Sequence, residues 1–185
     1  MNITWLSGKC GSGKTELVNS IIQTFKKENK KTCKLDGQDF VYLLVKNAKN
    51  HTPFDNIVLH FQNCDLLVLD DIDYALKNKP FTQGAVKDLI EKIIANNKTK
   101  VILISQQKEK KLRKLKFHPT QCSYIRLKYP SVDFKNELIK EWSMEKNLII
   151  PKKKIREIVN NSRNLFQLKG LFNRITLEKI KIIKI

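Results

Sequence analysis

The chain has 185 residues, of which 41% are hydrophobic and 29% charged, enough apolar sequence for a packed core and too much for wholesale disorder. Its 36 Lys and Arg against 18 Asp and Glu leave a net charge of +18, which favours polyanionic partners, nucleic acid first and an anionic membrane second. No apolar run nears the roughly 18 residues of a membrane span, residues 1–10 lack the pattern of a signal peptide, and Cys10, Cys33, Cys64 and Cys122 form no CxxC or Cys/His cluster, so neither a zinc site nor a redox pair is encoded locally and a reduced cytoplasmic protein is expected.

In chain order, Ile3–Leu6 reads as a buried strand stopped by Ser7-Gly8. A helix is predicted from Lys14 to about Asn29, with Leu17, Ile21, Ile22 and Phe25 on one stripe. Thr32–Leu35 suits a short strand, and Gly37–Lys46 a helix turning Phe40, Leu43 and Leu44 inward. Leu66–Leu69 is wholly apolar and ends in Asp70-Asp71, the pattern of a central parallel strand. Ala85–Ala95 is a helix striped by Val86, Leu89, Ile90 and Ile93; Val101–Ile104 and Ser123–Leu127 are further strands. This alternation predicts βαβ units and a parallel sheet with helices on both faces.

Past Pro130 the pattern becomes helical: Phe134–Glu145, Lys152–Asn160 and Leu165–Ile175, with Leu177–Ile185 either a frayed helix end or an edge strand. The expected organisation is therefore an α/β core over 1–130 and a helical subdomain over 131–185. Charge follows a similar division, with 15 basic and 11 acidic residues in 1–107 against 21 and 7 in 108–185.

Gly8-Lys9-Cys10-Gly11-Ser12-Gly13-Lys14-Thr15 satisfies G-x-x-x-x-G-K-[ST] in full, between a strand and a helix. The glycines let successive backbone N–H groups turn toward phosphate oxygens, and the helix aims its positive end at the same place. Lys14 would reach the β- and γ-phosphates and Thr15 would ligate Mg²⁺. The expected ATP-binding set is Gly8, Lys9, Cys10, Gly11, Ser12, Gly13, Lys14, Thr15 and the adjoining Glu16, with Lys9 and Cys10 at the variable positions. Asp70 would hold the metal with Thr15, and Asp71 would orient the attacking water. Ser105, at the end of the neighbouring strand, would contact the γ-phosphate or that water. Asp73 reads as a surface carboxylate.

These segments resemble the AAA+ ATPase region of the bacterial replication initiator DnaA family over roughly residues 2–176. The resemblance is carried by Cys64 to Tyr74 (CDLLVLDDIDY), Lys77-Asn78-Lys79, Thr82-Gln83, Leu35 to Phe40 (LDGQDF), Ile104-Ser105-Gln106 and Gly170 to Ile175 (GLFNRI). It implies a P-loop NTPase fold, with a five-stranded parallel sheet in the order 5-1-4-3-2 and a three-helix lid. It also implies ATP or ADP with Mg²⁺ as cofactors, slow ATP hydrolysis, and work in the initiation or regulation of DNA replication; the alternative is a non-hydrolysing, nucleotide-bound adaptor. Implied partners are a replication initiator, a helicase or a sliding clamp. The family's sensor 2 arginine falls on Phe166, with Arg163 about one turn earlier as its substitute. Its arginine-finger segment falls near Leu112–Phe117, where Arg113 is the candidate, so AAA+ self-association is expected to be weakened. The chain reads as a bare motor module, without the segment that packs on adenine or a helix-turn-helix domain, like regulatory inactivators and helicase loaders. Lys108–Lys116 and Lys152–Lys154 are basic runs that could neutralise nucleic-acid phosphates.

Overall fold

The computed structural model describes residues 2–77, 80–95, 98–107, 115, 117 and 120–183. They form two compact units, one of Met1–Gly8 with Lys14–Leu127, the other of Lys9–Gly13 with Lys128–Ile185.

The first unit is built on a five-stranded sheet in the order β2-β3-β4-β1-β5, every described pair parallel. The strands are β1 (Ile3–Gly8), β2 (Thr32–Asp36), β3 (Leu66–Asp70), β4 (Lys100–Ser105) and β5 (Cys122–Leu127). This is the expected fold class and strand order. Parallel strands buried on both faces need apolar residues at consecutive positions, which explains Leu66–Leu69 and Val101–Ile104, all buried. Side chains alternate between the faces. Leu6, Leu66, Val68, Ile102 and Ile104 pack with Val18 and Ile22 of α1 (Lys14–Lys27). Ile3, Trp5, Leu67, Leu69, Val101 and Leu103 pack on the other face with α2 (Gly37–Lys49), α3 (Asp55–Gln62) and α5 (Pro80–Ile94).

Helix α3 and the single turn α4 (Asp73–Leu76) were not evident in the sequence. Eight residues are too few for a resolvable period, and α3 is specified instead by Ile57, Val58 and Phe61 reaching the core. Helix α5 begins five residues earlier than the Val86 stripe suggests, because Pro80 is well suited to a first turn.

Cys33 and Cys64 are joined by a disulfide, against the expectation of reduced thiols; Cys10 and Cys122 are free. Their separation of 31 residues hides the pairing in the sequence. It arises because the β2–β3 register sets Thr32 beside Leu66, which brings the starts of both strands together.

The second unit holds α6 (Val132–Glu145), α7 (Lys152–Asn161) and α8 (Leu165–Ile183). Helix α8 continues to Ile183, which settles the Leu177–Ile185 stretch as helix through that residue. Ile139, Ile158, Val159, Leu168, Phe172 and Ile175 form its core, with Trp142 and Phe172 rings 5.4 Å apart. Lys135 is buried, and its ammonium donates to the carbonyls of Val159 and Ser162. It thus serves the Ser162 carbonyl just past the end of α7, while the Val159 carbonyl also accepts from the Ser162 N–H and hydroxyl.

Two stability predictions follow from these contacts. Lys135→Met keeps the aliphatic stem and takes the donor away from the Ser162 carbonyl, and should cost about 1–3 kcal/mol in denaturant unfolding; an unchanged midpoint would show that the cap contributes nothing. Cys33→Ser opens a long covalent loop and should lower stability by about 2–4 kcal/mol under non-reducing conditions. Equal melting of the variant and the parent would count against the crosslink.

Candidate nucleotide site

The site begins with the chain leaving β1 at Gly8 and entering α1 at Lys14. Gly11 and Gly13 have φ values of 77° and 94°, in the left-handed region that favours glycine. Space forbids a side chain as well: a Cβ on Gly11 would lie 2.8 Å from the Asn164 side chain, and one on Gly13 2.9 Å from Leu165 Cδ1. The Leu165 N–H donates to the Gly11 carbonyl at 3.0 Å, and the Ser12 N–H to the Lys9 carbonyl at 3.2 Å. The Ser12 hydroxyl is buried without a hydrogen-bond partner. Lys14, also buried, donates from Nζ to the Gly8 carbonyl at 2.7 Å. Thr15 and Glu16 are exposed on the first turn of α1, and Lys9 and Cys10 are exposed on the loop, with Lys9 Nζ 5.7 Å from the Tyr129 ring centroid.

This turn has two glycines in the left-handed region and a buried Ser12 hydroxyl with no partner among the described residues, and it runs into α1 at the buried Lys14 ammonium. Those are the features that fit a polyphosphate. The oxygen donors Thr15 and Asp70 suit a hard cation such as Mg²⁺. Among the described residues there is no ready-made cluster of three or more His, Cys, Asp or Glu that would hold a metal unaided.

Parallel pairing brings the acidic residues to the same edge. One row of the sheet runs through Trp5, Leu103, Leu69 and Leu35. Asp70 stands one residue beyond that row and Ser105 two. The Asp70 carboxylate accepts from the Asp71 N–H at 2.9 Å and pairs with Lys34 Nζ at 2.8 Å. Asp71 has φ 42°, which lets the chain turn sharply out of β3. Its carbonyl lies 2.5 Å from where a Gly37 Cβ would be, so only glycine fits at the start of α2. The Asp71 carboxyl is pushed up from its ordinary value, first by burial and then by Asp73, Asp36 and Asp70, while Lys14 pulls it back down.

Asp73 is not the surface carboxylate expected. It accepts from the Ser105 hydroxyl and the Gln106 N–H, both at 2.6 Å. The Ser105 hydroxyl in turn accepts from the Gln107 N–H at 2.9 Å. Ser105 is thus buried and committed to the turn after β4. Asp36 accepts from Gln38 N–H as the cap of α2. Asp71 alone of these four carboxylates has no hydrogen bond or ion pair among the described residues.

Arg163 is exposed, and its N–H donates to Gln167 Oε1; Asn164 Oδ1 accepts from the Gln167 N–H. This reciprocal cap starts α8. Phe166, on the first turn of α8, is 65% exposed. Arg113 lies outside the described residues, as do Lys108–Lys116 except Leu115. Lys152–Lys154 open α7, with Lys154 paired to Glu157.

Sequence reasoning missed Lys34, Asp73 and Asn164. Lys34 shares the parity of Asp36 on the strand beside β3, a clue usable only once strand order is known. Asn164 followed by Gln167 is a readable capping signature.

A family model described as the bacterial DnaA ATPase domain matches residues 1–121. The chromosomal replication initiator protein DnaA of Helicobacter pylori strain HPAG1 is 25% identical over 175 residues, covering 92% of this chain and 38% of that protein. The chain thus spans well under half the length of this curated relative. Domain III of the Thermotoga maritima replication initiation protein DnaA superimposes with a TM-score of 0.82 at 16% identity, over 99% of this chain and 78% of that one. A structure of replication initiator DnaA bound to AMPPCP and single-stranded DNA gives 0.79 at 21% identity, over 99% of this chain and 58% of that one. With a family model matched across most of its length and the same fold in these structures, the chain belongs to the bacterial DnaA ATPase-domain family.

Proposed function

We propose that the chain binds ATP or ADP at Gly8–Thr15, hydrolyses ATP slowly, and acts in the initiation or regulation of DNA replication. The observation that carries this reading is the left-handed glycine loop with Lys14 bonded to the Gly8 carbonyl, at the edge of the sheet where β3 ends in Asp70 and Asp71. In this reading residues 1–130 are the nucleotide-binding core and 131–185 the lid.

Backbone N–H groups of Gly11–Lys14 and the Lys14 ammonium take the β- and γ-phosphates. Thr15 and Asp70 would hold Mg²⁺, which when bound offsets charge developing on the phosphoryl group. Asp71, the carboxylate without a partner, orients the attacking water and accepts its proton; the upward push on its carboxyl makes it a better base than an ordinary aspartate. Ser105 positions Asp73 and the end of β4. Arg163, three residues before Phe166 at the start of α8, is the proposed substitute cation. The net charge of +18 suits a nucleic-acid partner, and the DnaA structure with single-stranded DNA is one precedent among its relatives. A replication initiator, a helicase or a sliding clamp is the proposed protein partner. The second reading, a nucleotide-bound adaptor without turnover, is favoured by Phe166, which brings no charge to a γ-phosphate.

Titration with a fluorescent ADP checks the first half of the reading: Lys14→Ala should weaken binding at least about tenfold, which is the loss of one charge-assisted phosphate contact. Equal affinity in both proteins would end the nucleotide reading. Asp71→Asn separates the two functional readings, since it should abolish ATP turnover and leave ADP affinity within about twofold. Absence of turnover in the parent itself would leave the adaptor reading standing.

The same variant has a pH signature. Folding raises the Asp71 carboxyl, so its protonated form is the one the fold favours. That contribution is present below the ordinary carboxylate range and is lost as pH rises through the folded pKa. Asp71→Asn should therefore raise Tm at neutral pH, with the gain shrinking in acid; a gain that grows in acid would contradict the sign.

A further inference from the structure

The ion pair between Lys34 and Asp70 has no place in the chemistry above, and it engages the residue that would hold the metal. Lys34 Nζ lies 2.8 Å from Asp70 Oδ2, with Lys34 38% and Asp70 19% exposed at the side chain. The other oxygen of Asp70 accepts from the Asp71 N–H. Both carboxylate oxygens therefore have partners supplied by the protein.

The pairing is built into the sheet. The β2–β3 register sets Lys34 beside Val68 and Asp36 beside Asp70. Lys34 and Asp70 thus share a face and lie on a diagonal, two residues apart along neighbouring strands. A four-carbon stem spans such a diagonal with little distortion. Competing acceptors are already engaged: Asp36 holds the Gln38 N–H, and Asp73 holds Ser105 and Gln106. Lys34 is therefore directed to Asp70. Cys33, the residue before it, is tied to Cys64, which anchors the start of this edge strand.

We propose that Lys34 is a resident counter-ion for Asp70 that competes with magnesium, so that the chain holds nucleotide with little dependence on Mg²⁺. The inference rests on the nucleotide reading of the loop. A cation approaching Asp70 must displace an ammonium already there, and the two positive charges repel within one small volume. Mg²⁺ consequently adds less to nucleotide affinity than it would at an unengaged carboxylate. Lys34 is a positioning residue in this scheme: it touches Asp70 and not the phosphates.

The test is a titration of fluorescent ADP in EDTA and again in excess Mg²⁺, on the parent, Lys34→Met and Lys34→Arg. The parent should bind ADP with nearly the same affinity in both buffers. Lys34→Met keeps the stem and removes the charge, and its Mg²⁺ enhancement should exceed the parent's by about three- to tenfold, the range for a partly exposed ion pair. Lys34→Arg should behave as the parent. Binding of Mn²⁺ alone, followed by paramagnetic resonance, should tighten in Lys34→Met and not in Lys34→Arg, a readout independent of turnover. Equal Mg²⁺ enhancement in the parent and Lys34→Met overturns the proposal while leaving the nucleotide reading intact. Failure of the parent to bind ADP in either buffer overturns both. Matching far-ultraviolet spectra of the three proteins would confirm that each comparison is made on folded chains.

Discussion

Pairing of β3, β4 and β1 side by side in one direction is the constraint on which the site depends. The register sets Trp5 beside Leu103 and Leu103 beside Leu69, so the three strands run out at one edge. Gly8, Ser105 and Asp70 arrive there because of that alignment. The alignment is enforced by burial: Leu6, Val68 and Ile102 must face α1, while Trp5, Leu69 and Leu103 must face α2 and α5. A slip of one residue would exchange the two faces of a strand, sending its side chains into the wrong layer. Hydrophobic packing thereby fixes the placement of charge.

Four aspartates crowd this edge, and three are engaged by groups of the protein itself. Asp36 caps a helix, Asp73 binds the turn after β4, and Asp70 meets an ammonium and a backbone N–H. Asp71 is thereby the one that combines a raised proton affinity with an unengaged carboxylate. Adjacent positions in the chain thus carry different chemistry. The backbone takes part in the difference: Asp71 turns at φ 42° and gives its own N–H to Asp70.

Most of the architecture was legible because its signals are local. The strands are apolar runs of four to six residues, and the phosphate loop is a contiguous motif whose spacing states its own chemistry. Where long-range register decides the outcome, the sequence was silent. Cys33 and Cys64 are 31 residues apart and meet only through strand pairing, and Lys34 meets Asp70 by the same route. Asp73 looked solvent-facing because nothing near it in sequence reveals that the end of β4 lies beside it. Helix α3 escaped because eight residues with three core contacts make no persuasive stripe. The last helix was legible from its apolar pattern starting at Leu165, while the cap that Asn164 and Gln167 build at its start was overlooked.

The bond from the Leu165 amide to the Gly11 carbonyl has a mechanical meaning. Helix α8 spans 19 residues, about 28 Å at the usual rise. Its first amide is pinned to the middle of the glycine turn, and Asn164 sits against the same peptide with no room to spare. A large rotation of that peptide would break this bond. The turn and the start of the helix are therefore tied in a single hydrogen-bonded joint, so the conformation of the Gly11 peptide and the seating of Leu165 are set together.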